Sequence, residues 1–329
     1  WKNLFYLISM CLSLYAEPME SSNNPSPNSS GSQKTFGGCR LLLVDGSNLM
    51  FQMFYGMPSR IVNKQGVAIH GVLGFVGAFL RIVGLVEPTH ILVVFDGEHE
   101  NPRVLLDDQY KANRPDFSAM QEEETPFSQM PYIYDALDHM GVKRLETVHF
   151  EADDVIASCA LRFWQEGGGV VIASMDSDFF QLVKAPSCDA NDGIEVLRYR
   201  GKQSIVCDWG YVRERFGVSP DLYCAFKSLV GDTSDNIKGV CGIGPKTAAK
   251  LLAQYGSLES VIAHCDEIKP SRIGMALKDC QERLFLNRRL IELGANVPLP
   301  LEYGELCLSP GLSKGLFSTR KVLEDVGLM

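Results

Sequence analysis

A chain of 329 residues with 46% hydrophobic composition can bury one large core or two moderate ones. Its formal charge of −9 argues at first against a nucleic-acid partner, yet nine clustered carboxylates account for the whole excess: Asp45, Asp96, Glu151, Asp153, Asp154, Asp176, Asp178, Asp232 and Asp235. Ten cysteines without a C-x-x-C pair read as reduced structural thiols of an intracellular protein, and six scattered histidines offer no zinc cluster.

The chain begins at Trp1, and residues 1–38 are an ill-defined or targeting segment. Residues 4–16 are apolar but short for a bilayer span, so they read as an h-region, a piece of a transit peptide or translated non-coding sequence. Residues 20–38 form a Ser/Asn/Pro/Gly tract expected to be disordered, with Met19 a candidate start. From Arg40 the pattern is α/β: a strand over 41–45, a helix through LMFQMFYGM, a turn at Asn63–Gly66, a long apolar helix over 70–85, and the strand ILVVF ending at Asp96. Residues 97–130 lack apolar periodicity and are expected to cross the sheet edge as a partly helical excursion. A helix over 131–140 stops at Gly141, and VKRLE returns to the sheet.

After Glu151 an amphipathic helix places Val155, Ile156, Cys159, Ala160, Phe163 and Trp164 on one face, and the glycines at 167–169 end it. VVIAS is the next buried strand, and IEVLRYR and SIVCD pair as an antiparallel hairpin. The α/β core therefore covers 39–207. A mostly helical lobe follows over 208–300, where Cys224 lies on an apolar helical face, and 301–329 is a C-terminal extension.

Three acidic clusters directly follow buried strands: LLLV then Asp45, ILVVF then Asp96, VVIASM then Asp176. Acids at the carboxyl ends of parallel strands point into the crevice where open sheets bind ligands. So many anions repel unless cations join them, which points to hard divalent metals, two of them, of the kind that drives phosphoryl chemistry. The helix dipole accounts for one or two acids in Glu151-Ala-Asp153-Asp154, and Asp232 and Asp235 in LVGDTSDN read equally well as an Asx-type loop. By themselves, Arg103, Lys111 and Arg114 read as a solvated basic face. Gly242-Ile-Gly244-Pro-Lys246-Thr247 is a glycine turn entering a helix, either a plain hairpin or a cradle of N–H groups for phosphate. The stretch 242–290 has eight basic and five acidic residues, so it is locally positive.

Taken together, VDGSN, FDGEHENPR, YKANR, FEADDVIAS, MDSDFFQLV and LVGDTSDNIKGVCGIGPKTAAKLL resemble the 5′-nuclease domain of bacterial DNA polymerase I and the stand-alone 5′→3′ exonucleases and flap endonucleases. The resemblance runs from about Arg40 to Pro300 with the motifs in order, and without polymerase or proofreading segments it looks like the free-standing form of plant organelles and some bacteria. It implies a PIN-like α/β nuclease core, mainly parallel, with a helical arch and a C-terminal lobe holding a helix–turn–helix DNA-binding element.

It further implies that all nine carboxylates belong to a site for two Mg²⁺ or Mn²⁺ ions that activate water and stabilise the leaving oxygen. Lys111 and Arg114 would neutralise charge on the scissile phosphate, and Arg103 and Tyr110 would contact DNA from the arch. Gly242, Gly244, Lys246, Thr247 and Lys250 would hold DNA at the helix–turn–helix, where the family often carries K⁺. The implied partner is DNA with 5′ ends, flaps or nicks, or an RNA primer on DNA. The expected state is a monomer without membrane attachment, resident in chloroplast or mitochondrion, with the nucleus as the other location.

Two departures stand out: Gln52 where the family commonly has arginine, and Asp107 where it commonly has an aromatic residue. One cation fewer and one anion more near the phosphate path would weaken 5′-end binding. They are the support for an alternative, a non-catalytic DNA-branch-binding relative. A ribonuclease of related acid-rich fold is the other alternative, against which the C-terminal glycine hairpin argues.

Overall fold

The computed structural model describes residues 36–97, 102–114, 121, 125–187 and 192–329. The expectations for the N-terminal tract and for parts of the excursion over 97–130 lie outside the described residues. The apolar runs become the centre of a six-stranded sheet. Its strands are β1 (Arg40–Asp45), β2 (His90–Phe95), β3 (Arg144–Glu146), β4 (Gly169–Ala173), β5 (Ile194–Arg198) and β6 (Ile205–Cys207), in the order β3-β2-β1-β4-β5-β6. The first five in that order are parallel neighbours and β6 is antiparallel to β5. β1, β2 and β4 are buried along nearly their whole length, which is why their sequences are continuous hydrophobic runs rather than alternating ones.

Strand parity divides the core. Leu42, Val44, Ile91, Val93 and Phe95 face α1 (Gly46–Gly56), α2 (His70–Val86) and α3 (Met130–His139). Leu41, Leu43, Leu92, Val94, Val170 and Ile172 face α4 (Ala152–Gln165) and continue into the helical region without a break in the core. That region holds α5 (Trp209–Phe216), α6 (Tyr223–Val230), a short ladder β7 (Gly231–Asp232) with β8 (Ile237–Lys238), α7 (Pro245–Tyr255), α8 (Leu258–Ala263), α9 (Ser271–Asp279) and α10 (Gln281–Ile291). The described residues form one unit.

The extension over 301–329 returns to the α/β part. Leu308 donates its N–H to the Thr89 carbonyl at 2.8 Å, and α11 (Pro310–Ser313) and α12 (Thr319–Asp325) bring Leu312, Val322 and Leu323 into the core beside α2. Among the described residues no helix is long and apolar enough to cross a membrane.

Chain order produces the site. The chain passes from β1 outward to β2 and β3, then crosses to β4 on the other side of β1. The crevice at the carboxyl ends of β1 and β4 is therefore the topological switch point, the usual ligand position in open α/β sheets. Asp45 ends β1 and the Ser174–Asp178 loop leaves β4 at this crevice.

Candidate active site

Asp45 does two jobs locally. Its Oδ1 caps α1 by accepting the Asn48 N–H at 2.9 Å, and its Oδ2 accepts the Ser174 hydroxyl at 2.8 Å. Asp96, just past β2, accepts the Ala152 N–H at 2.8 Å and so joins that strand end to the first turn of α4. Asp176 accepts the Asp178 N–H at 2.8 Å and donates its own N–H to Ser174 Oγ at 3.0 Å. Asp153, in the first turn of α4, completes the group. Burial and then the charges of Asp96 and Asp176 push the Asp45 carboxyl up to about 7, and burial with Asp176 and Asp45 raises Asp153 well above an ordinary aspartate. Asp45 and Asp153 are thus crowded by each other and by Asp176, with the exposed Asp96 at the rim of the group.

A second group is centred on the β7–β8 turn. One carboxylate oxygen each from Asp178, Asp232 and Asp235 lies within 4.8 Å of the others. Gly231 makes the turn possible: its φ is +87°, and a Cβ there would come within 2.4 Å of the Gly239 nitrogen. Lys227, 6% exposed, extends from α6 with its ammonium on Asp178 and Asp232. Burial dominates at Asp178 and, with Asp176 and Asp232 and against Lys227, pushes it up to about 7. At Asp232 burial is outweighed by Lys227 and Ser234, and its carboxyl is lowered.

Residues 102–114 bring cations to these acids. Lys111 Nζ lies 2.5 Å from Glu151 Oε1, while the Lys111 backbone, at φ +57°, donates its N–H to the Asp235 carbonyl at 3.0 Å. Burial alone would lower the Lys111 ammonium, but Glu151 beside it outweighs burial and raises it. Arg114, 55% exposed, reaches Asp235 at 3.0 Å. Tyr110 is buried against Ile237, Leu290 and Ile291. Glu151 and Asp154, expected among the metal acids, are paired with the basic segment. Arg103, expected on DNA, is buried between them, 2.6 Å from Asp154 Oδ1 and 3.1 Å from the Glu292 carbonyl. Asp154 also accepts the Gly294 N–H at 2.7 Å.

At the glycine hairpin, Gly242 has φ +82°, Gly244 is the N-cap residue of α7 and Pro245 its first residue, as the sequence indicates. Lys246 and Lys250 are exposed, and Thr247 and Lys250 border a groove of about 230 Å³ shared with Gln254, Tyr255 and Lys269. Buried Ile243 anchors the turn.

Comparisons with known proteins agree with this geometry along the chain. Residues 40–217 match the 5′-3′ exonuclease N-terminal resolvase-like domain, and residues 218–312 match the 5′-3′ exonuclease C-terminal SAM fold. The chain belongs to the 5′-3′ exonuclease family. It is 35% identical over 295 residues to DNA polymerase I of Rhizobium leguminosarum, covering 87% of this chain and 28% of that protein. It is 35% identical over 265 residues to the thermostable DNA polymerase I of Thermus thermophilus, covering 80% and 30% respectively. The chain thus spans less than a third of these relatives. A structure of bacteriophage T5 flap endonuclease, in a pseudo-enzyme-product complex with DNA and metal ions, shares the fold with a TM-score of 0.62. Its identity is 20%, over 87% of this chain and 99% of that one.

For an exonuclease-family chain, the two departures have local explanations. The Gln52 amide donates to the Tyr199 carbonyl at 2.7 Å, and Asp107 is paired with Arg283 at 2.5 Å. The anion that Asp107 adds therefore has a cation, Arg283, directly against it. Sequence reasoning missed Lys227 and Ser174. A lysine within YCAFKSLV, five residues before Asp232 on an otherwise apolar helix, was the available signal for the first; Ser174 carried none.

Proposed function

We propose that this protein hydrolyses DNA phosphodiesters from 5′ ends and at 5′ flaps in a Mg²⁺-dependent reaction, in primer removal, replication or repair. One observation carries the reading: Asp178, Asp232 and Asp235 bring carboxylate oxygens within 4.8 Å of one another beside the mutually repelling acids of the sheet edge, with Lys111 and Arg114 paired to the adjacent Glu151 and Asp235. The donors fit hard cations, since both groups are carboxylate oxygens without sulfur or imidazole. Asp45, Asp96, Asp153 and Asp176 would hold one Mg²⁺ or Mn²⁺ ion, and Asp178, Asp232 and Asp235 the other. Bound there, the ions supply Lewis acidity toward the scissile phosphate and the attacking water.

The chain's own residues do the rest. Lys111 and Arg114 donate to the non-bridging phosphate oxygens as charge develops, each exchanging a carboxylate partner for the phosphate. Asp45 and Asp153 lose the protons that crowding favours. At α7 the N–H groups of the first turn, with Lys246, Thr247 and Lys250, grip successive duplex phosphates without reading bases, and the Gly242–Gly244 turn accommodates K⁺. The protein acts as a monomer on DNA, or on an RNA primer annealed to it.

The test is incubation with 5′-flap DNA, nicked duplex and single-stranded RNA, in Mg²⁺ or EDTA. Flap cleavage that requires Mg²⁺ is expected, and its absence sinks the proposal. Asp176→Ala should abolish cleavage while DNA binding persists. Lys111→Ala should slow the chemical step by about 10²-fold or more with binding little changed.

A further inference from the structure

Asp107 is an unusual aspartate. Its side chain is 8% exposed although it sits in an irregular segment. Oδ1 accepts the Gln109 N–H at 3.0 Å and shapes the turn, while Oδ2 takes Arg283 Nη1 at 2.5 Å across 176 residues of sequence. Arg283 belongs to the first turn of α10. At the opposite end of that helix, Leu290 and Ile291 bury Tyr110, and the Glu292 carbonyl accepts Arg103. Nine residue steps along α10 and its C-cap separate Arg283 from Glu292, a distance of about 13 Å, so the segment 103–110 is held at both ends of α10.

Immediately after this fixed stretch the chain delivers its cations. Lys111 adopts φ +57°, a conformation its β-carbon disfavours and which persists only where the surroundings enforce it. Three hydrogen bonds to backbone carbonyls enforce it: Lys111 N–H to Asp235, Asn113 Nδ2 to Thr233 at 2.9 Å, and Asn236 Nδ2 to Gln109 at 2.8 Å. These bonds join the cation segment to the turn that carries Asp232 and Asp235. The groups that make them in this segment, Gln109, Lys111 and Asn113, follow directly on the turn at Asp107.

We propose that Asp107 and Arg283 are a pair of positioning residues, a latch that sets Lys111 and Arg114 against the acid groups. The latch rests on the nuclease reading for its effect on rate, but its effect on the conformation of the segment does not.

The experiment uses the full chain with Arg283→Gln, Asp107→Asn, the conservative Arg283→Lys, and the exchanged pair Asp107→Arg with Arg283→Asp. Hydrogen exchange of residues 102–114 is followed without DNA. Single-turnover flap cleavage in Mg²⁺ and DNA affinity in EDTA are followed alongside. Both single neutral variants should expose the 102–114 amides, and cleavage should slow by about 10- to 100-fold, the range expected of a misplacement near 1 Å, with affinity changed by less than about threefold. Arg283→Lys or the exchanged pair should recover most of the protection and rate. Lys143→Gln, which breaks the exposed Lys143–Glu305 pair elsewhere, should leave both at wild-type values.

Wild-type exchange in both single variants overturns the latch. So does a loss confined to DNA affinity, which would make Arg283 a phosphate contact, or a failure of both rescues. Absence of cleavage by the unaltered protein refutes the nuclease reading instead, and the exchange arm then still decides the latch.

Discussion

Replacing Asp45 with asparagine should make the metal-free protein more stable at pH 8 and the Mg²⁺-bound protein less so. In the folded chain, burial and the charges of Asp96 and Asp176 raise this carboxyl from the ordinary 3.8 to about 7. Because the folded-state value lies above the unfolded one, the native protein holds the extra proton between about pH 4 and pH 7, and stability falls as pH rises through that window. The rise is equivalent to about 4 kcal/mol, a ceiling because Asp153 and Asp176 share the repulsion. Asparagine keeps the cap to Asn48 through Oδ1, and its amide faces Ser174 Oγ, whose proton then loses its acceptor at a cost of about 1 kcal/mol. A net gain of about 3 kcal/mol remains, on the order of 10 °C in Tm for a domain of this size. Urea denaturation of both proteins from pH 4 to pH 9 in EDTA measures it. The difference between the two curves should be near zero or slightly negative at pH 4, grow to about pH 7 and stay flat above. Millimolar Mg²⁺ at pH 8 should reverse the order, since binding to the native state stabilises only the protein that retains the ligand. An asparagine variant less stable than wild type in EDTA at pH 8, or a difference that does not grow between pH 4 and pH 7, would refute the crowded-carboxylate argument.

Lys227→Met leaves Asp178 and Asp232 without their buried counter-charge, and should cost about 3 kcal/mol in EDTA, largely recovered by Mg²⁺. Equal denaturation midpoints for variant and wild type would show that the acids need no internal cation. Lys246→Ala and Lys250→Ala should each weaken duplex binding and lower the slope of log affinity against log salt by about 0.9, read by fluorescence anisotropy across a salt series. An unchanged slope would remove that lysine from the phosphate contacts.

Much of the fold was legible because buried parallel strands announce themselves. LLLV, ILVVF and VVIAS are continuous apolar runs for the same reason that they lie at the sheet centre, and the acid after each lies at the carboxyl edge. The division of labour in Glu151-Ala-Asp153-Asp154 was also encoded, though it takes the helical period to see it. Successive helical residues lie about 100° apart, so Asp153 and Asp154 cannot share a side. Asp154 turns toward Arg103, which also meets Glu151 at the N-cap, and Asp153 turns toward Asp45 and Asp176. Contacts such as Asp107 with Arg283 were not legible, because no local pattern relates two residues 176 positions apart on an irregular segment and a distant helix.

The same partner geometry ranks the three cations Arg103, Lys111 and Arg114 by their availability to a phosphate. Arg103 is held by Glu151, Asp154 and the Glu292 carbonyl and is 9% exposed, so releasing it would leave the half-buried Asp154 without its cation. Lys111 has one carboxylate, Glu151, which retains Arg103 when Lys111 turns to the substrate. Arg114 has one carboxylate and is already half exposed, so it can engage a phosphate with the smallest rearrangement. Arg103→Ala should then lower the urea midpoint of the DNA-free protein, whereas Arg114→Ala should leave the midpoint near wild type and slow cleavage. Circular dichroism and single-turnover rates on the two variants separate these effects. A wild-type midpoint for Arg103→Ala would return that arginine to the DNA-binding set.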